Sequence, residues 1–132
     1  MAIKAKRPTV AIKIPRQHFG TVVADPAAQT ELSLILQDAG FVLVDEKSAQ
    51  PADIVITGEA FSAYGMRRGN LISCKARVEI QAQRRSDGKL LRTDRETTVA
   101  VDIAEQTAAK TALQHAAAEL ALRLAPKIVE LE

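Results

Sequence analysis

The stretch LISCKARVEIQAQRRSDGKLLRTDRETTVAVDI, residues 71–103, decides the predicted fold. It contains two segments of alternating apolar and polar residues, separated by Asp87-Gly88. Alternation with a period of two indicates strands with one buried and one exposed face. Asp-Gly is typical of a tight turn, because glycine accepts the positive φ that such turns require. The stretch therefore predicts a long β-hairpin.

The apolar positions define the two faces of this hairpin. The first strand, residues 71–85, has an apolar face made of Ile72, Cys74, Ala76, Val78, Ile80 and Ala82. The second strand, residues 90–103, is predicted to have an apolar face made of Leu91, Thr93, Thr97, Val99, Val101 and Ile103. A two-residue turn places the two apolar faces on the same side of the sheet, with Val78 opposite Thr97. It also places Glu79 opposite Glu96, a repulsive pair that a bulge or a longer turn would relieve.

Three shorter strands and a helix precede the hairpin. Alternating or wholly apolar runs predict the strands at residues 9–14, 41–44 and 54–61, followed by a loop at 62–70. Asp25-Pro26 indicates a helix start, since the Asp side chain accepts from free N–H groups and Pro loses no bond there. The helix is expected to end near Ala39, with Gly40 as its left-handed cap. Strand, helix, strand in this order implies a parallel pair.

A second helix closes the chain. Asp102 and Glu105 have the spacing of a capping box, and Pro126 is expected to kink or interrupt the helix near Ala125. Its apolar stripe consists of Ala109, Leu113, Ala116, Leu120 and Leu124. The element order is therefore β-α-β-β-β-β-α. This order predicts an α+β fold with a five-stranded mixed sheet and two helices packed on one face.

Length and composition favour one globular domain covering residues 1–132. A chain of this size buries roughly two-thirds of its unfolded surface, so it needs neither disulfide nor metal to fold. Aromatic residues are only 3% of the chain and the net charge is +2. Platforms for stacking bases are therefore nearly absent, and no nucleic-acid-binding signature is present. We predict no nucleic-acid partner.

The sequence leaves the cellular compartment open. No apolar run approaches the roughly 20 residues that a membrane-spanning helix needs, so we predict no transmembrane segment. The opening MAIKAKR is charged and no apolar stretch follows it, so no signal peptide is visible. Either the protein is cytoplasmic or the sequence begins after a removed signal.

The residue types that bind metals or act as nucleophiles are few. His115 and Glu119 lie one helical turn apart and would supply two metal ligands, but no third ligand is evident. The other histidine, His18, lies in a predicted loop. Cys74 falls on the apolar face of its strand, which favours an inert core thiol. We therefore predict no metal and no cofactor.

No catalytic residue can be assigned. Asp94 and Glu96 share one strand face and are expected to pair with basic neighbours, which keeps carboxyl pKa values low and unsuited to acid catalysis at neutral pH. No phosphate-binding glycine motif occurs. The loop at 62–70 instead combines tyrosine, methionine and arginine, residue types enriched at protein interfaces. The predicted partner-binding residues are Tyr64, Arg67, Arg68, Asn70, Lys75, Arg77 and Arg92.

Several segments together resemble a known family. They are the strand TVAIKI, the loop Phe19-Gly20, LQDAGFVLVD at 36–45, ADIVITG at 52–58, the hairpin ARVEI with SDGKLL, and the final Ala/Leu helix. This pattern resembles the CsgG-like domains of bacterial envelope proteins, which share their architecture with LpoB and the N-terminal domain of TolB. The resemblance implies a periplasmic or outer-membrane-associated module that binds other envelope proteins and has no catalytic residues.

Two functional hypotheses follow. The first is a non-enzymatic interaction module that scaffolds or regulates a secretion or cell-wall machine, with self-association through an exposed sheet edge. The alternative is a small-ligand or nucleotide-binding domain. That alternative predicts a pocket at the carboxyl ends of the parallel strands, around residues 15–20 and Asp45. An enzyme is the third and least supported class, because no set of nucleophile, base and oxyanion donors can be assembled.

Overall fold

The computed structural model describes residues 9–18, 21–23, 26–45 and 52–131. Their elements, in chain order, are β1 (Thr9–Lys13), β2 (Arg16–His18), β3 (Thr21–Val23), α1 (Ala27–Asp38), β4 (Val42–Leu43), β5 (Ile54–Arg68), β6 (Leu71–Arg84), β7 (Leu90–Asp102) and α2 (Glu105–Leu131). All five predicted strands are present as β1, β4, β5, β6 and β7. The predicted α+β fold, with a mixed sheet and two helices, is confirmed.

The sheet contains parallel and antiparallel parts. β1 is parallel to both β4 and β5, which confirms the predicted parallel pair. β5, β6 and β7 are consecutive antiparallel neighbours. The predicted loop after Pro15 contains the two short strands β2 and β3, which the sequence did not reveal. β2 runs parallel to β5 beyond β1, with Arg16 opposite Ala60.

The core lies between the sheet and the helices. Most even-numbered residues of β6 and of the first part of β5 are buried, and most of these pack with both helices in one cluster. Ile72 and Cys74 form a smaller cluster with the start of α2. Alanines dominate the buried side of α2: Ala108, Ala109, Ala112, Ala116, Ala117 and Ala121. Within the described part of the chain, neither helix is long and apolar enough to cross a membrane.

The predicted loop at residues 62–70 is wrong for most of its length. β5 continues to Arg68, and only Gly69 and Asn70 form the turn to β6. Gly69 has φ 61°, which suits a tight hairpin turn. The pairing shifts between Tyr64 and Met66, so a bulge lies at Gly65. The glycines of this segment therefore mark a bulge and a turn within a second long hairpin.

The predicted pairing of β6 with β7 is wrong by one residue. Val78 lies opposite Glu96, where a two-residue turn placed Thr97. The connection is longer than predicted: β6 ends at Arg84, β7 begins at Leu90, and the register shifts again between Ala82 and Gln83. Glu79 now faces Arg95, so the repulsive pair is relieved.

The helix ends differ from the predictions in detail. α1 begins at Ala27, Asp25 lies outside the described residues, and Gly40 has φ 97° as expected for its cap. Asp102 Oδ1 accepts from the N–H groups of Ile103 and Ala104, before the helix starts, so the predicted capping box is replaced by a local turn. Pro126 does not interrupt α2, which continues to Leu131. The buried Ile128 anchors this last turn against the core.

Gly58 allows β5 and β6 to approach each other. A Cβ at this position would lie 2.0 Å from the backbone oxygen of Glu79. We expect Gly58→Ala to lower the free energy of unfolding by at least about 3 kcal/mol, because backbone must move to accept the methyl group. Urea denaturation measures the loss. Thr57→Ala, an exposed neighbour on the same strand, is the control and should change stability by less than about 0.5 kcal/mol. Equal effects of the two substitutions would contradict this role.

Candidate functional site

Neither of the two described helices packs on one face of the sheet, and we call it the open face. It carries the odd-numbered residues of β6, β7 and the first part of β5. A concavity of about 790 Å³ lies at its centre. Charged residues of three strands meet there, because Glu79 lies opposite both Glu59 and Arg95. The centre of the open face is therefore polar.

Two of the predicted partner-binding residues lie together on the open face. Lys75 is exposed between Ala63 of β5 and Val99 of β7. The guanidinium carbon of Arg77 lies 5.3 Å from the centre of the Phe61 ring, a cation–π distance. Arg77 Nε is also 3.5 Å from Glu79 Oε1. These contacts hold Arg77 in position while half of its side chain stays accessible.

Arg92 was predicted to share this face and does not. It lies opposite Ala82, on the helix side of the sheet, with Nη2 3.6 Å from Asp94 Oδ2. The one-residue shift between β6 and β7 causes the difference, because such a shift moves every side chain of a strand to the other face.

The other predicted partner-binding residues lie at the turn end of the β5–β6 hairpin. They are divided between the two faces of the sheet. Arg68 pairs with Leu71 on the open face, whereas Tyr64 and Arg67 lie opposite buried residues of β6. Arg67 Nε donates to the carbonyl of Gly69 at 3.3 Å, which ties it to the turn. All four predicted residues of this segment, Tyr64, Arg67, Arg68 and Asn70, are exposed.

An exposed apolar surface lies beside this turn. We call it the tip patch and define it by Met66, Leu71, Val99, Val101 and Ile103, whose exposed fractions range from 49% to 72%. The last three were predicted to be core residues, and the shifted register places them on the open face instead. Neighbouring apolar side chains on solvent-exposed sheet mark surfaces that contact another molecule.

The two acidic residues that were predicted to pair with strand cations both contact α2, and Asp94 also pairs with the strand residue Arg92. Arg123 Nε lies 3.0 Å from Asp94 Oδ2, and Arg123 Nη2 lies 3.3 Å from Glu96 Oε2. Burial opposes ionisation of Asp94, but the hydrogen bonds from Arg123 and from the Arg95 N–H outweigh it and lower the pKa of the Asp94 carboxyl. This cluster attaches α2 to the outermost strand.

A second polar cluster joins β2, β5 and the start of α2. His18 Nδ1 lies 2.6 Å from Ser62 Oγ, and His18 Nε2 lies 2.7 Å from Glu105 Oε2. This cluster was not predicted from the sequence, because Ser62 and Glu105 lie 44 and 87 positions from His18 along the chain. The one local signal is that Ser62 continues the even-numbered buried side of β5.

Hydroxyl, imidazole and carboxylate stand in the order found in hydrolytic triads. Ser62 is only 4% exposed, however, and does not line the neighbouring cavity. That cavity, of about 530 Å³, is lined by Arg16, His18, Gln106, Thr107, Ala109, Lys110, Thr111 and Gln114. A molecule bound there would meet basic and amide groups, and it would not meet the serine hydroxyl.

Among the described residues, the candidate nucleophile Cys74 does not share a site with the candidate metal ligands His115 and Glu119. Cys74 is fully buried, and its Sγ donates to the carbonyl oxygen of Glu105 at 3.4 Å. Burial, and then the charge of Glu105, raise the pKa of the Cys74 thiol. His115 and Glu119 are both exposed on α2. In the part of the chain that the structure describes, no three metal-binding side chains come together.

Comparison of the sequence with protein-family models and with curated proteins gives no match. The fold, in contrast, is similar to solved structures. One is PelC from Paraburkholderia phytofirmans, a dodecamer, at 15% identity and TM-score 0.65 over 92% of this chain and 89% of that chain. Another is a minor lipoprotein from Acinetobacter baumannii, at 14% identity and TM-score 0.57 over 91% of both chains. A third is a DUF330 protein from Xanthomonas campestris, at 11% identity and TM-score 0.58 over 90% of this chain and 82% of that chain.

The chain is therefore similar in fold to PelC, to the minor lipoprotein and to the DUF330 protein. At these identities the similarity concerns the fold alone. It covers nearly the whole chain in each comparison, so the helices and the long hairpins belong to one shared architecture.

The Asp94–Arg123 contact predicts a pH-dependent contribution to stability. We expect Asp94→Asn to lower the free energy of unfolding by about 1–3 kcal/mol at neutral pH, the usual loss for a charged hydrogen-bonded group. Because the folded pKa is lowered, the contribution is complete above the unfolded value of about 3.9 and disappears as pH falls through the folded pKa. Urea denaturation of both proteins between pH 7 and pH 2.5 measures the difference.

Asp87→Asn is the matched control for Asp94→Asn, since Asp87 is half exposed in the β6–β7 turn. Its effect on stability at neutral pH should be smaller, because exposed ion pairs contribute little. A loss for Asp94→Asn that persists unchanged at the acid end would contradict the role of the ionised carboxylate.

Proposed function

We propose that this chain is a non-enzymatic protein-interaction module of the bacterial cell envelope, periplasmic or outer-membrane-associated. In this role it scaffolds or regulates a secretion or cell-wall machine. The observation that carries the proposal is the tip patch, an apolar surface on a sheet face that no helix of the described chain covers. The similarity in fold to a lipoprotein from Acinetobacter baumannii and the resemblance to CsgG-like domains both support it.

The proposed contact surface combines the tip patch with the basic residues around it. Lys75 and Arg68 flank the apolar side chains on the open face, and Arg77 lies one pair further along β6. Aromatic, methionine and arginine side chains are enriched where proteins bind each other. Tyr64, Arg67 and Asn70 extend this surface around the turn. Arg92 is not included, because it faces the helices.

The geometry of the His18 cluster supports the non-enzymatic part of the proposal. A nucleophile must be reachable by the atom that it attacks. Ser62 is buried and bonded to His18, and Cys74 is buried and bonded to Glu105. Both hydrogen bonds satisfy groups inside the fold, which accounts for these residues without a reaction.

Charge reversal on the contact surface tests the proposal. We expect Arg68→Glu with Lys75→Glu to weaken binding of an envelope partner by roughly tenfold or more, because unfavourable charges across an interface cost several kcal/mol. Partners would be identified by mass spectrometry after affinity capture from envelope extract. Binding of an identified partner would then be measured with purified proteins.

The matched control for this pair is Arg85→Glu with Lys89→Glu. It makes the same change in charge at the opposite end of the β6–β7 hairpin, where both residues are exposed. The control should bind as the unmodified chain does. Equal binding by both double variants would refute the placement of the contact surface.

A second candidate function, binding of a small anionic ligand, is favoured by the cavity beside His18. This cavity includes Arg16, His18 and Lys110, and it lies in the region around residues 15–20 where a pocket was predicted. Basic and amide side chains are suited to phosphate or carboxylate groups.

Thermal denaturation with nucleotides and inorganic phosphate tests this candidate, since a ligand that binds only the folded state raises the melting temperature. We expect a rise that Lys110→Gln reduces and that the distant substitution Lys127→Gln leaves unchanged. No shift with any of these compounds would contradict it.

A further inference from the structure

β7 lies at one edge of the sheet. Among the strands that the structure describes, it bonds only to β6. In an antiparallel pair, the backbone groups of alternate residues point towards the neighbouring strand and those of the others point away. An edge strand therefore presents a row of N–H and C=O groups that another chain can bond.

Arg95 identifies which residues of β7 point outward. Its N–H donates to Asp94 Oδ1 at 2.8 Å, and its carbonyl oxygen accepts from Arg123 Nη2 at 3.2 Å. Both backbone groups of Arg95 are thus bonded by side chains, so they point away from β6. The register is continuous from Arg92 to Asp102, and the outward set therefore continues with Thr97, Val99 and Val101.

At both ends of this outward set, side chains occupy the backbone groups of the edge, and we call the edge closed there. The Asp94–Arg123 pair covers the edge at Arg95. Beyond Val101, Asp102 Oδ1 accepts from the N–H groups of Ile103 and Ala104, at 2.7 and 3.3 Å. Between these two points the outward residues are β-branched, with no proline or lysine of the kind that natural edges use to prevent pairing. A short open edge, residues 97–101, remains.

We propose that this open edge pairs antiparallel with the same edge of a second copy of the chain, around a two-fold axis at Val99. The stretch is self-complementary in this arrangement. Val99 lies opposite Val99, and Thr97 lies opposite Val101, so every outward backbone group of the open edge gains a partner. On the helix side, small Thr98 lies opposite small Ala100.

The arrangement uses the open edge and leaves both closed ends intact. Glu96 would lie opposite Asp102 of the second copy, at the margin of the contact, where Arg123 already neutralises Glu96. Two-fold pairing of identical surfaces is the commonest way in which soluble chains self-associate. The pairing depends on the backbone of residues 97–101, whereas the test of the proposed function changes Arg68 and Lys75, so separate substitutions test the two proposals.

Cysteine cross-linking tests the pairing directly. In the proposed dimer of a Val99→Cys variant, the two introduced sulfurs would be close enough to bond, since Cα atoms of bonded antiparallel pairs lie about 5.5 Å apart. Thr93→Cys is the matched control, on the same strand and face but beyond the closed point at Arg95. The native Cys74 is buried and does not interfere.

We expect mild oxidation with copper–phenanthroline to give a covalent dimer of Val99→Cys on non-reducing gels, and little or none of Thr93→Cys. Sedimentation should give a dimer mass for the unmodified chain and a monomer mass for Val99→Lys, with the melting temperature of Val99→Lys confirming that this exposed position tolerates the change. A monomeric unmodified chain would overturn the proposal. A dimer in which Val99→Cys cross-links no better than Thr93→Cys would also overturn it, because another surface would then hold the two copies.

Discussion

The pairing register between β6 and β7 is the constraint on which the rest of the structure depends. A shift by one residue exchanges the two faces of β7. In the observed register Asp94 and Glu96 face α2, where Arg123 meets them, and Val99 and Val101 face away from the helices. The attachment of α2, the closed part of the edge and the tip patch all follow from this single choice.

The observed register is surprising on hydrophobic burial alone, since burying a valine stabilises a protein by about 1.5–3 kcal/mol. The limited space between α2 and β7 explains the observed register. α2 presents alanines to the sheet, and β7 meets it with Thr98 and Ala100, both small. The Thr98 hydroxyl donates to the carbonyl of Ala112. Close approach of helix and sheet leaves no room for larger side chains at these positions, and overpacking is itself destabilising.

These contacts also explain how far the sequence could predict the structure. The faces of β6 were predicted correctly because its apolar residues alternate regularly from Ile72 to Ala82. The cap at Gly40 was predicted correctly because the positive φ of such a cap favours glycine at that one position. β7 is ambiguous: its odd residues from Thr97 onward are β-branched, and its even residues are small or charged. Only α2, which supplies both Arg123 and the alanines, decides between the two faces. The same holds for His18, Ser62 and Glu105, which three separate elements bring together.

The two sides of the sheet consequently differ in what they leave unsatisfied. On the helix side, the buried Ser62 bonds to His18 and the partly buried Asp94 bonds to Arg123. On the open side the valines of β7 are exposed, and the edge of residues 97–101 that points away from β6 has no neighbouring strand among the described elements. Packing the helix layer in this way leaves apolar residues exposed to water, which is unfavourable. A second molecule that covers these residues would reduce this cost. The exposed surface is therefore a direct consequence of how the core is packed, and it lies where a second molecule can reach both the tip patch and the edge of β7.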